Sequence, residues 1–72
     1  MNDQQFLTQL GRRIREIRTQ KEIKQQDLAA KCNFEKSNMS RIEGGRSNVM
    51  ILNLVKISQA LEVDLTDLLN IK

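Results

Sequence analysis

Between Lys36 and Glu43 the chain gathers Lys36, Ser37, Asn38, Ser40 and Arg41, and only Met39 and Ile42 are apolar. The polar side chains are of the types that hydrogen-bond base edges or phosphate oxygens. They crowd the N-terminal half of the stretch, the end that enters a major groove when a helix of this kind docks on a duplex. The spacing of Met39 and Ile42 by three predicts a helix with one narrow buried side, and Gly44-Gly45 supplies its stop. So short and polar a helix is unstable alone, so other elements must hold it. A solvated surface helix is the plainer alternative, and composition does not choose between the two.

The elements around this stretch follow from apolar spacing. Phe6 or Leu7, Leu10, Ile14 and Ile17 recur at three and four, which predicts an amphipathic first helix ending near Gln20, with Met1 to Gln5 frayed. Arg12 and Arg15 read as its solubilising face, and Arg13 is within reach of a phosphate. Lys21 to Lys24 connects, anchored by Ile23. Gln25 opens a second short helix through Cys32, with Leu28, Ala29 and Cys32 on one side and Asp27 in the first turn, where a carboxylate suits the helix dipole. Asn33 tolerates a left-handed backbone, and Phe34 can then plug the corner into a core. Arg46-Ser47-Asn48 is a polar loop. Val49 to Leu61 resumes the helical period with Ile51, Leu54, Ile57 or Ser58, and Leu61 facing inward. Asp64 caps a short fifth helix, with Asp67 three residues on and Leu65, Leu68 and Leu69 inward. Strand-like alternation is absent, so the expectation is one all-α domain of five helices spanning residues 1–72.

The order of these residues resembles the phage-repressor and Cro-like helix-turn-helix family over roughly Leu10 to Leu69. The matching positions are Gln25, Leu28-Ala29, Phe34, Met39 to Glu43 before Gly45, Asn48, Ile57, Ala60-Leu61, Val63 and Leu65 to Leu69. Lys24 stands where the family usually has a Ser or Thr cap, Asn33 and Glu62 where Gly is common, and Val49-Met50 where Pro and Ser or Thr are frequent. The resemblance implies a lambda-repressor-like fold and a transcriptional regulator of double-stranded DNA. It implies a phosphate contact from Gln25; the residue types and their placement add expected base contacts from Lys36, Ser37, Asn38 and Arg41 and phosphate contacts from Ser40, Arg46 and Asn48. It also implies a structural ion pair between Arg18 and Glu43.

Composition narrows the alternatives. The net charge is +3, but residues 1–48 carry ten Lys or Arg against six acids, +4, and residues 49–72 two against three, −1. The excess lies on the half that holds the polar helix, as a phosphate-binding surface requires. No His and one Cys leave acid-base, metal and disulfide chemistry without players, so neither an enzyme nor a cofactor is expected. Cys32 reads as a small buried hydrophobe. No long apolar run appears, so no membrane contact is expected and the expected compartment is the cytoplasm. No small-molecule ligand is evident. A protein-interaction or antitoxin-type module of the same fold is the competing function, but it would want an apolar anchor on the outward face of Lys36 to Arg41. On the helix after the loop, Leu52 and Val55 fall away from the core side, and with Met50 and Leu65 they form surplus apolar surface. That surplus predicts a homodimer.

Overall fold

The computed structural model describes residues 1–71, built from α1 (Asp3–Gln20), α2 (Gln25–Lys31), α3 (Lys36–Glu43), α4 (Ile51–Leu61) and α5 (Leu65–Leu68). Leu10, Ile14 and Ile17 of α1 bury one stripe against Leu28 and Ala29 of α2, Met39 and Ile42 of α3, and Leu54, Ile57 and Leu61 of α4, and Leu68 joins the same cluster. A fully buried side chain of this size contributes about 1.5 to 3 kcal/mol. That cluster holds α2 and α3, which at 7 and 8 residues are too short to persist alone.

The first four helices end in the same way. After each, one residue turns left-handed: Glu22 at φ 58°, Asn33 at 59°, Gly45 at 73° and Glu62 at 58°. The next residue sends its N–H back five positions to a helical carbonyl, from Ile23 to Arg18 (3.1 Å), Phe34 to Ala29 (2.8 Å), Arg46 to Arg41 (2.8 Å) and Val63 to Ser58 (3.0 Å). This is the Schellman arrangement, which satisfies carbonyls that a helix end would otherwise orphan. At three ends the following residue, Ile23, Phe34 or Val63, packs on the core. At the fourth it is Arg46, which is exposed. The turn that ends α3 therefore presents a cation where its counterparts present a hydrophobic plug.

Three local expectations are corrected and one open alternative is settled. Residues 2–5 are not frayed: Asn2 Oδ1 accepts the N–H of Gln5 (2.8 Å) and Gln5 Oε1 accepts the N–H of Asn2 (3.0 Å), a reciprocal box that starts α1 at Asp3. Leu7 rather than Phe6 takes the inward slot, since Phe6 is 41% exposed. Ile51 is not a core residue. It lies in the first turn of α4, short of the buried stripe of Leu54, Ile57, Ser58 and Leu61, and is 57% exposed. Leu69 is likewise 40% exposed, since it is the C-cap of α5 and lies past Leu68, the helix's one buried residue. The turn into α5 is fixed as expected by Asp67, whose carboxylate accepts the N–H of Asp64 at 3.0 Å.

Gly11, which has no role in the sequence reading, is where α1 touches α3. A Cβ there would sit 2.5 Å from the carbonyl oxygens of both Ile42 and Glu43. Because those neighbours are backbone, Gly11→Ala must separate the helices, and the expected loss is at or above the 1 to 3 kcal/mol typical of overpacking. Thermal melts check this. A variant as stable as the parent would mean that α3 does not rest on α1 at this point.

Candidate nucleic-acid interface

The exposed side of α3 is set by which of its residues the core consumes. At about 100° per residue, Met39, Ile42 and Glu43 cover one side and are buried. Ser37 and Arg41 point away from it and are exposed, Lys36 and Ser40 lie on one flank, and half-buried Asn38 lies on the other. No apolar side chain interrupts this outward surface.

Three side chains lock α3 to the rest of the domain. Arg18 Nε donates to Glu43 Oε2 at 2.7 Å and Arg18 Nη2 to Glu43 Oε1 at 3.0 Å, a two-pronged contact whose planar fork matches a carboxylate. The pair is buried, the two side chains 10% and 4% exposed. Arg18 Nη1 also donates to the carbonyl of Ile23 (2.8 Å), so one guanidinium ties α1 to α3 and to the connection before α2. Gln25 Nε2 donates to Glu43 Oε1 (3.2 Å), which fixes the side chain that opens α2. A further tether is Gln4, whose Nε2 donates to the carbonyl of Gly45 (2.9 Å). Gly45 itself has no room for a side chain, since a Cβ would lie 2.6 Å from Thr8 Cα.

Between α3 and the start of α2 runs an open groove. Gln25, Lys36, Ser40 and Arg46 line it together. Three of these are sequence-expected phosphate contacts. Lys36, expected at base edges, shares their groove instead because it lies one turn before Ser40 on the same flank. Asn48 does not join them: it borders a separate recess with Phe6, Leu7 and Val49. Sequence reasoning missed Arg15, Lys24 and Gln26, which also line the groove. The only carboxylate there is Glu43, already engaged by Arg18, so the lining carries five cations against one acid, net +4. Arg13 is elsewhere, its Nε donating to the carbonyl of Asp67 at 2.9 Å, and so pins α5 to α1.

Away from the groove, Met50, Ile51 and Leu52 are 68%, 57% and 65% exposed in succession, whereas Val55 is half-buried and Leu65 packs partly on the core. The apolar surface is thus centred on the first turn of α4. Cys32 is buried, and desolvation pushes its thiol above the usual range, a push that the Lys56 ammonium opposes, which suits a packed thiol rather than a reactive one. Among the described residues no group of His, Cys, Asp and Glu could hold a metal ion, and no helix is long and apolar enough to cross a membrane.

Known proteins resemble this chain in sequence and in fold. The chain is 41% identical over 61 residues to control protein C.BamHI of Bacillus amyloliquefaciens, covering 83% of this chain and 75% of that protein. It is 33% identical over 69 residues to control protein C.MunI of a Mycoplasma species, covering 94% and 90%. The crystal structure of the restriction-modification controller protein C.AhdI from Aeromonas hydrophila superposes with a TM-score of 0.90 at 31% identity, covering 94% of this chain and 99% of that one. The sequence profile of the Cro/C1-type helix-turn-helix DNA-binding domain matches residues 13–72. With a polar outward helix, a cationic groove beside it and these relatives, the chain belongs to the Cro/C1-type helix-turn-helix family and is a DNA-binding transcriptional regulator, not an enzyme.

Proposed function

We propose that the protein is a sequence-specific controller of restriction-modification genes that binds a palindromic operator as a homodimer, with α3 as the reading helix in the major groove. The observation that carries this is the outward surface of α3, polar throughout and flanked by a groove of net +4. In this reading Ser37 and Arg41 meet base edges, Asn38 borders the contact, and Gln25, Lys36, Ser40 and Arg46 hold the phosphates that set the helix's register. Asn48 lies at the edge of the footprint. The controller role rests on the likeness to C.BamHI, C.MunI and C.AhdI. Two copies meet through the first turn of α4, with Met50 and Leu52 central and Val55 and Leu65 at the margin. A cytoplasmic location fits the single, unoxidised Cys32.

Selection of bound sequences from a random duplex pool tests the reading. The expected consensus is palindromic, with half-site centres about 34 Å apart, one duplex turn. A non-symmetric consensus would remove the dimer, and no enrichment at all would remove sequence reading. Repeating the selection with Arg41→Ala and Ser37→Ala should relax particular base pairs by about 1 to 3 kcal/mol each. Arg46→Ala should weaken all duplexes alike. If all three variants shift every sequence equally, the base-reading surface is misassigned.

A further inference from the structure

We propose that Arg15 of α1 and Lys24, just before α2, form a second cationic wall of the groove, so that one DNA strand is held between α1 and α3 rather than against α3 alone. The inference rests on the DNA-binding reading above and extends it to two residues outside the helix-turn-helix. On α1, Arg15 and Arg18 are three residues apart and turn toward the same groove. Arg18 points inward and is consumed by Glu43 and the carbonyl of Ile23, whereas Arg15 stays exposed. Lys24 occupies the N-cap position of α2 and makes no side-chain cap bond, as an ammonium with no acceptor must. Its side chain is exposed and lines the same groove as Lys36 and Arg46.

No acid compensates these groups. Among the described residues the Arg18–Glu43 contact is the only ion pair, and Glu43 is the groove's only carboxylate. Arg15, Lys24, Lys36 and Arg46 thus surround one channel with unpaired positive charge, which concentrates a polyanion there. The ligand is a sugar-phosphate strand of duplex DNA, contacted without regard to sequence.

Affinity for a mixed-sequence duplex, measured by fluorescence anisotropy across a salt series, tests the second wall. Arg15→Ala and Lys24→Ala should each flatten the plot of log K against log salt by about 0.9 for every phosphate contact removed. Arg12→Ala is the charge-matched control. It lies on the same helix but borders a different recess, with Gln9 and Ile71, and should leave the slope unchanged. If Arg15→Ala and Lys24→Ala behave like Arg12→Ala while Lys36→Ala and Arg46→Ala flatten the slope, the second wall is wrong and the groove stands. If Lys36→Ala and Arg46→Ala leave the slope intact as well, the groove itself is not the phosphate site and the inference falls with it.

Discussion

Glu43→Gln and Arg18→Met are each expected to destabilise the protein by about 3 to 5 kcal/mol, the usual cost of stranding one partner of a buried ion pair. The geometry places them at the upper end. Both side chains are almost wholly buried and joined by two hydrogen bonds, and each serves a third group, Gln25 through Glu43 and the Ile23 carbonyl through Arg18. A domain of this length has a total stability of about 4 to 11 kcal/mol, so either variant should melt far below the parent or be partly unfolded at room temperature. The double variant should lose clearly less than the sum of the singles, because removing both partners strands neither charge. Additive losses in thermal or denaturant melts would mean that the two side chains stabilise the fold independently. Gln25 adds a second readout: with Glu43 replaced, DNA affinity should fall further than the unfolded fraction accounts for.

Replacing Leu52 by Glu is expected to leave the fold intact and to lower affinity for the palindrome by about 10²- to 10⁴-fold, the range by which linked binding exceeds a single contact. Leu52 is 65% exposed and follows Met50 and Ile51, which are also mostly exposed, so a carboxylate there meets water in the monomer. In an isologous dimer each such carboxylate is brought close to the two-fold axis, where its counterpart repels it. Sedimentation should show a dimeric parent and a monomeric variant with equal melting behaviour when extrapolated to low concentration, and half-site affinity should be unchanged. A parent that is monomeric at high micromolar concentration, and still so on DNA, would dispose of the α4 interface.

The helices were legible in the sequence because their buried residues recur at helical spacing and because Asn33, Gly44-Gly45 and Asp67 are turn and cap chemistry that acts locally. Ile14, Leu28, Ile42 and Leu61 needed nothing more than period to be placed. The misreadings fall where a residue's neighbours come from elsewhere in the chain. Ile51 fits the period of α4, but its exposure depends on how far the core extends past the first turn. Gly11 looks like a weak point in a helix until α3 is laid across it. Arg15 and Lys24 look like ordinary solvated cations, and only the approach of α1 and the start of α2 to the α3 flank gathers them with Lys36 and Arg46. Asn2 and Gln5 were hidden because a capping box with Asn and Gln in place of the commoner Ser or Thr and Glu carries a weaker signature.

The four left-handed turns described above are alike in backbone and unlike in what mutation can do to them. At Glu22, Asn33 and Glu62 a residue with a side chain already occupies the slot at a cost of about 1 to 2 kcal/mol relative to glycine, partly offset because glycine would loosen the unfolded chain by about 0.5 to 1 kcal/mol. Exchanges among Glu, Asn and Gly at these turns therefore change stability by at most about 1.5 kcal/mol, and substitution there leaves what the protein reads untouched. Gly45 has the same dihedral signature but faces Thr8 backbone at 2.6 Å, so even an alanine is barred. The one turn closed to drift is the one that carries the chain from the reading helix toward the apolar start of α4.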